Sequence, residues 1–243
     1  MAGHSHFKSI KHHKAAIDAK RSKHFSKYSK AIMVAAKAGG GDPAKNLSLL
    51  YAIDRAKAGN MPNDSIDRAI KKATGELGDK QFDEIIYEGY GLGGVAIMVD
   101  ALTDNRSRTA PEMRKMFSVY GGNLGNPGSV QFMFDRKGLF SIPAEGLSED
   151  EVFEVAAEAG ADDVQRADDQ WAITTPPTAF APVKQALVAK GWSLTTAELA
   201  WVAQNDVTPD PEAAKKVEAL LSALEDHDDV QNVYSNYVAP EGA

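Results

Sequence analysis

Cysteine is absent from the sequence, which excludes disulfide bonds and thiolate metal sites. Long apolar runs are also absent, and the longest, Val95–Val99, is far short of the roughly 20 residues that cross a membrane. The opening Met1–His4 has none of the apolar character of a secretory signal. These absences predict a cytoplasmic protein with no membrane partner.

Histidine is scarce outside the N-terminal region, and beyond residue 24 only His227 remains. His227 lies in the tract Glu225–Asp229, which we interpret as a solvated helix end rather than a general base with an orienting carboxylate. The glycine-rich segments 89–94 and 121–129 have neither the strand-to-helix context of a dinucleotide loop nor the Gly-Lys-Ser/Thr ending of a P-loop. We therefore expect no enzyme activity, no cofactor and no small-molecule substrate.

The N-terminal histidines raise the question of a metal site. His4, His6, His12 and His13 match no structural zinc spacing, and their neighbours are cationic, which disfavours a metal ion. Hydrogen bonding of these histidines to phosphate or to a nucleobase is the interpretation that the pattern favours.

Charge is distributed very unevenly along the 243 residues, although the net charge is only −7. Residues 1–80 hold sixteen Lys and Arg against seven Asp and Glu, whereas residues 81–243 hold eleven against twenty-seven. Within residues 1–37 nine basic residues accompany a single acid, Asp18. A segregated field of this kind influences the choice of partner, and here it predicts nucleic acid.

The first 80 residues are predicted to form a three-helix bundle. Phe25, Tyr28, Ile32 and Ala35 recur with the period of a helix, which ends at the glycines and proline of residues 39–43. A second helix is expected over residues 47–58 and a third from about residue 64 to 73.

The rest of the chain is predicted to be α+β. Strands are expected at residues 85–88, 95–102 and 130–134, and a capping box at Thr109–Glu112 predicts a helix that begins there. Residues 139–202 then follow the order βαββαβ, which is typical of a ferredoxin-like domain. The last helix, residues 211–225, and strand, residues 230–237, have no local partners, so we expect them to return to the first sheet.

These patterns predict three domains. A helical basic domain spans residues 1–80, a discontinuous α+β domain comprises 81–134 with 204–243, and a ferredoxin-like domain of residues 135–203 is inserted in it.

The predicted first helix has a lysine face opposite its apolar face, with Arg21 as an exception that lies toward the apolar side. Lysines at one-turn spacing can each neutralise a phosphate without reading sequence. A solvated lysine face and a membrane-surface helix are the alternatives. The segment upstream of the helix, which holds Lys8–Lys14 and is called the leader, adds further basic residues. The candidate nucleic-acid-binding residues of the leader and the helix are Lys8, Lys11, His12, His13, Lys14, Lys20, Arg21, Lys23, Lys27 and Lys30.

A second phosphate contact is predicted between a strand and the following helix. Arg106 and Arg108 would share one side of the segment Thr103–Thr109 if it were extended. Local capping and ion pairing with nearby acids is the alternative for this segment.

Several blocks, in order along essentially the whole chain, resemble the YebC/PmpR family. They are residues 1–5, 10–12, 14–21, 39–43 (Gly-Gly-Gly-Asp-Pro), 60–62 (Asn-Met-Pro), 68–72, 87–91 (Tyr-Glu-Gly-Tyr-Gly), 103–106 (Thr-Asp-Asn-Arg) and 121–125 (Gly-Gly-Asn-Leu-Gly). The sequence has Phe7 and His13 where members of the family often have Trp and Arg.

The resemblance implies a helical N-terminal domain and two α+β domains, one inserted in the other, in a cytoplasmic bacterial protein. Bacterial members resembling this chain are described as probable DNA-binding transcriptional regulators, and a ribosome-associated role is also proposed for them. The mitochondrial relative is a translational activator. The sequence has no recognisable helix-turn-helix with base-reading Arg, Asn or Gln on a second helix, and the helix at residues 64–73 offers only Asp67, Arg68, Lys71 and Lys72. Both DNA and ribosomal or transfer RNA therefore remain open.

Overall fold

A computed structural model describes residues 21–75 and 82–240, with side chains from Phe25 onward. Its helices are α1 (Arg21–Gly39), α2 (Leu47–Ala58), α3 (Asn63–Ala73), α4 (Arg106–Val119), α5 (Glu149–Glu158), α6 (Phe180–Ala189) and α7 (Pro211–Glu225). Its strands are β1 (Asp83–Tyr90), β2 (Ala96–Thr103), β3 (Asn123–Leu124), β4 (Phe134–Pro143), β5 (Asp163–Ala167), β6 (Gln170–Thr175), β7 (Thr196–Ala203) and β8 (Val230–Ser235).

Helices α1, α2 and α3 form the predicted bundle around one small apolar core. Ile32 of α1 and Leu49 of α2 are fully buried there, and Ile66 contributes from α3. Asn46 links the first two helices, because its side chain accepts from the backbone N–H of Leu49 and donates to the carbonyl of Ala35 at 2.7 Å. This contact caps α2 and satisfies a carbonyl near the end of α1.

The first sheet has the order β3–β1–β2–β8 with all neighbours antiparallel. In its register Val99 of β2 lies between Tyr87 of β1 and Val233 of β8. Helices α4 and α7 cover one face, where Phe117 and Leu220 join Val99 in the core. The first sheet therefore combines three strands from residues 83–124 with β8, which comes more than 100 residues later.

The second sheet has the order β5–β6–β4–β7 and is built by the contiguous segment of residues 134–203. Its element order is βαββαβ, and Phe140, Ile173 and Val183 form its core beneath α5 and α6. The segment lies in the chain between β3 and β8 of the first sheet. The predicted fold class is thus confirmed: three N-terminal helices are followed by two α+β units, one inserted in the other.

Two local predictions were wrong, and each has a physical reason. Helix α4 begins at Arg106, because Asn105 rather than Thr109 provides the cap and accepts the backbone N–H of Arg108 at 3.1 Å. Residues 131–133 form a 3₁₀ turn rather than the middle of a strand.

Glu88 explains the second difference. Its buried carboxylate accepts backbone N–H groups of Gly128, Val130 and Gln131 at 2.6, 2.8 and 2.8 Å, which leaves these groups unable to pair with a strand. A carboxylate with several backbone donors is a strong local constraint, so the glycine-rich loop is held to β1.

The helical bundle also contacts both α+β units. The ring of Tyr51 packs edge-on against Phe180 with centroids 5.2 Å apart, and Lys184 Nζ lies 2.9 Å from a carboxylate oxygen of Asp54. On the first sheet, Arg55 donates to the side-chain oxygen of Asn232 at 2.5 Å. These contacts join α2 of the bundle to both α+β units.

We predict that Glu88→Gln lowers the free energy of unfolding by about 2–3 kcal/mol, because an amide loses the charge and turns an NH₂ group toward backbone donors. Glu84→Gln is the matched control, since Glu84 lies exposed on the same strand. Chemical denaturation measures both variants. Equal stability of the two variants would contradict this role of Glu88.

Candidate nucleic-acid interface

Lys27 of α1 points into the protein rather than into solvent. It is 8% exposed, and its ammonium group donates to the backbone carbonyl of Glu225, the last residue of α7. The C-terminal end of a helix carries a partial negative charge from its unpaired carbonyls, which favours a cation there. Lys27 therefore caps α7 from another part of the chain.

Lys30, one turn further along α1, contacts the same region. Its Nζ donates to the carbonyl of Asp228 at 3.0 Å and to Oδ1 of Asp229 at 2.6 Å. The residues Glu225–Asp229, which join α7 to β8, are called here the acidic turn. Two lysines of the predicted nucleic-acid-binding face are thus bound by the acidic turn.

Asp229 gathers donors from three segments of the chain. Besides Lys30, its carboxylate accepts from Arg108 Nη2 at 2.7 Å, from Thr109 Oγ1 at 2.8 Å and from Thr103 Oγ1 at 3.2 Å. The Asp229 side chain is 3% exposed. A carboxylate this far from water requires such donors, so β2, α4 and α1 all meet at this one group.

The pKa values at this site differ in direction. Burial raises the pKa of the Asp229 carboxyl, but hydrogen bonds from Lys30, Arg108 and Thr109 outweigh it and hold that pKa well below its usual range. Burial lowers the pKa of Lys27 to about 8, against the opposing effect of Glu225. Burial also raises the pKa of Glu225 to about 7. The charged form of Asp229 is therefore favoured, whereas burial disfavours the charged forms of Lys27 and Glu225.

The acidic turn has its own internal bonds. The backbone N–H of Asp229 donates to Nδ1 of His227 at 3.1 Å, and Nε2 of His227 lies 3.0 Å from a carboxylate oxygen of Glu112 on α4. An Nδ1 that accepts implies that Nε2 carries the proton and donates to Glu112. His227 thus fixes the turn against α4.

The two predicted arginines occupy the first turn of α4 rather than an extended segment. Arg106 pairs through Nε with Asp83 at 2.8 Å, and its side chain is 61% exposed. Arg108 pairs with Asp229 and, at 3.3 Å, with Asp104. The structure brings Arg108 together with Lys30 and Lys27 around the acidic turn, and it places Arg106 in a separate ion pair.

The other predicted residues either lie at the start of α1 or fall outside the described part of the chain. Arg21 and Lys23 fall in the first turn of α1. Those outside the described residues are Lys8, Lys11, His12, His13, Lys14 and Lys20.

The interpretation of Glu225–Asp229 as a solvated helix end was wrong for Asp229. Its partners Thr103 and Thr109 are fully buried and flank the cap residue Asn105, so a polar pair at the end of a strand and the start of a helix was the available signal. From the sequence Thr109 was interpreted as a local cap and the segment Thr103–Thr109 as a phosphate contact, and neither threonine was connected to an acid 120 to 126 positions later.

Further basic side chains of the bundle face solvent. Lys45, Lys57, Arg68 and Lys71 are exposed on α2, α3 and the loop before α2. Among residues 21–75 and 82–240, no three His, Cys, Asp or Glu side chains form a group that could hold a metal ion. The helices of this part of the chain are all too short or too polar to cross a membrane.

The fold and these contacts define a protein with a basic helical N-terminal part docked on an acidic α+β body. Residues 5–76 match the family model for the TACO1/YebC protein N-terminal domain, and residues 82–237 match the model for the TACO1/YebC second and third domain. The chain belongs to the TACO1/YebC family.

Relatives over the full length support this assignment. A probable transcriptional regulatory protein of Natranaerobius thermophilus is 52% identical over 240 residues, 98% of this chain and 96% of the relative. One from Treponema denticola is 49% identical over 242 residues, 100% of this chain and 98% of the relative. The crystal structure of a conserved hypothetical protein from Aquifex aeolicus, 48% identical, has a TM-score of 0.83 and covers 92% of this chain and 93% of its own.

We predict that Asp229→Asn lowers the free energy of unfolding by about 3 kcal/mol at neutral pH, because Lys30 and Arg108 lose a buried anion. The depressed pKa adds stability that is complete above the ordinary carboxyl pKa near 4 and is lost as the pH falls below it. Urea denaturation from pH 7 to pH 3 should therefore show the two proteins converging in acid.

Asp162→Asn is the control for this measurement, since Asp162 forms a half-exposed ion pair with Lys137. A difference between wild type and Asp229→Asn that stays constant down to pH 3 would contradict the assigned electrostatics.

Proposed function

We propose that this protein is a non-enzymatic regulator of transcription that binds DNA through the phosphate backbone, using its basic N-terminal region. The observation that carries the proposal is the charge segregation: sixteen Lys and Arg against seven acids in residues 1–80, on a body in which acids outnumber bases by twenty-seven to eleven. A basic patch on an acidic protein attracts a polyanion to one place and repels it elsewhere.

The residues assigned to direct phosphate contact are those of the leader and of the start of α1: Lys8, Lys11, His12, His13, Lys14, Lys20, Arg21 and Lys23. Exposed Lys45, Lys57, Arg68 and Lys71 extend the same charge over the helical bundle. Lys27, Lys30 and Arg108 are engaged by the acidic turn, and Arg106 by Asp83, so their phosphate contacts require these partners to be exchanged.

The mode of recognition that the residues favour is shape and backbone rather than base sequence. Helix α3 carries Arg68, Lys71 and Lys72, which are suited to phosphate, and no Asn or Gln follows Asn63 within it. The names of the relatives, probable transcriptional regulatory protein, support a role in transcription. A duplex of RNA satisfies the same backbone chemistry, so the binding test includes both nucleic acids.

We predict that Lys11→Gln with Lys14→Gln weakens binding to unrelated DNA duplexes to a similar extent and reduces the slope of log affinity against log salt by roughly 0.9 per lost contact. Fluorescence anisotropy at several salt concentrations measures both quantities for DNA and for RNA of the same sequence.

The matched control for this pair is Lys215→Gln with Lys216→Gln, which removes equal charge from exposed positions on α7. If the leader variant and the α7 variant lose affinity and slope equally, net charge accounts for binding and the assigned surface is wrong. Tighter and steeper binding to RNA than to DNA would transfer the proposal to an RNA target.

A further inference from the structure

The contacts of the acidic turn raise the question of what it does to the lysines that it holds. We propose that the acidic turn is a built-in competitor for nucleic acid: it occupies Lys27 and Lys30 when the helical bundle is docked, and these lysines bind phosphate only after the bundle has separated from it. This inference rests on the proposed function and adds a mode of regulation to the same surface.

The turn offers the lysines the ligands that a phosphate would offer. Lys30 Nζ has a carboxylate oxygen at 2.6 Å and a carbonyl oxygen at 3.0 Å, which are distances of charge-assisted hydrogen bonds. An ammonium group has three donors, so two of those of Lys30 are already used. Lys27 is only 8% exposed and its ammonium group is bound to the end of α7, so little of it can reach a phosphate in this arrangement.

The turn also has the charge to act as a competitor. Glu225, Asp226, Asp228 and Asp229 place four acids within five residues, and the carbonyl end of α7 adds the partial negative charge of a helix terminus. Because Asp229 is held by Arg108 and Thr109 as well, the turn keeps its shape when the lysines leave. A preformed anionic site of this kind can release and recapture α1.

The remaining contacts between the bundle and the body are of a kind that can open. They include the hydrogen bond from Arg55 to Asn232, the ion pair of Lys184 with Asp54 and the edge of Tyr51 on Phe180. Interfaces between domains of one chain are commonly polar and allow relative motion. Exposed ion pairs in particular are weak and sensitive to salt, so they favour docking without locking it.

The docked state cannot use Lys27 and Lys30 to bind nucleic acid. The apparent affinity for nucleic acid is therefore that of the open state multiplied by the fraction of molecules that are open. Nucleic acid binds the open state better and so shifts the equilibrium toward it. A substitution that weakens docking should therefore raise the affinity for nucleic acid even when it adds no contact to the ligand. The proposal therefore predicts gains of binding from substitutions that lie far from the leader.

The first test compares full-length Asp229→Asn with the charge-matched Asp162→Asn in anisotropy titrations against a short DNA duplex. Both variants remove one negative charge, but only Asp229 touches α1. We expect Asp229→Asn to bind the duplex about tenfold more tightly than Asp162→Asn does. This is the gain expected if the open fraction rises from about a tenth of the molecules to nearly all of them. Equal affinities of the two variants overturn the proposal.

A second variant guards against a folding defect in Asp229→Asn. Lys184→Met breaks the ion pair with Asp54 and removes a positive charge, so simple electrostatics predicts weaker binding. Weakened docking predicts the opposite, and we expect tighter binding. Circular dichroism establishes that both variants are folded, and loss of affinity in folded Lys184→Met overturns the proposal.

The third test asks whether the released lysines bind the ligand. Lys27→Gln with Lys30→Gln is measured in wild type and in Asp229→Asn. We expect the larger loss of affinity in Asp229→Asn, because in wild type the same change also frees the bundle and offsets part of its own cost. Equal losses in the two backgrounds would mean that Asp229 does not compete for these lysines, and an absence of loss in Asp229→Asn would mean that they serve docking alone; either result overturns the proposal.

Docking itself is measured independently of binding. The absence of native cysteine allows two spin labels at Lys45→Cys and Lys115→Cys, both exposed, one on the bundle and one on α4. We expect longer or broader distances in Asp229→Asn and on addition of the DNA duplex. Unchanged distances between the labels in Asp229→Asn overturn the proposal that the acidic turn competes with nucleic acid. If the folded protein binds neither DNA nor RNA in any variant, the proposed function is refuted instead.

Discussion

A carboxylate withdrawn from water must be surrounded by donors, and Asp229 draws its donors from segments that are far apart in the chain. Thr103 ends β2, Arg108 and Thr109 begin α4, and Lys30 comes from the N-terminal bundle. Through this one group the end of β2, which is a central strand of the first sheet, the start of α4 and the basic helix α1 are held in a defined arrangement. The position of α1 on the body, and with it the accessibility of its lysines, depends on that carboxylate.

The acidic turn and the lysines that it binds include one charge that is favoured and two that burial disfavours. Asp229 is favoured as an anion by its donors, whereas burial acts against the charged forms of Lys27 and Glu225. Desolvation offsets much of the attraction in a buried ion pair, so such a pair adds little net stability although removing one partner is costly. The hydrogen bonds of Lys27 and Lys30 define how α1 docks, while burial disfavours the charge of Lys27, which is the combination expected of a contact that forms and opens.

Much of the fold could be predicted because its signals are local. Asp210 and Pro211 mark the start of α7 by capping and by a proline in the first turn, and the predicted bounds of that helix match the structure. The inserted βαββαβ unit followed from alternating and helical periods in turn. Asn105 was overlooked as a cap because the capping box four residues later has the stronger pattern, although Thr109 is needed inside for Asp229.

The site was harder to predict, since periodicity separates two faces of a helix but does not say what covers each. The bundle core buries Ile32 as expected, yet the opposite face of α1 meets the acidic turn almost 200 residues later. Such long-range pairing leaves no local trace in the sequence except complementary charge.

The insertion of residues 134–203 between β3 and β8 also determines the order in which the molecule is completed during its synthesis. Domains fold as units as they emerge, N-terminal part first. The helical bundle is therefore finished while β8, the last strand of the first sheet, and the acidic turn before it have yet to be made. For most of its synthesis each new chain therefore displays Lys27 and Lys30 uncovered, because the acidic turn that holds them is made near the end.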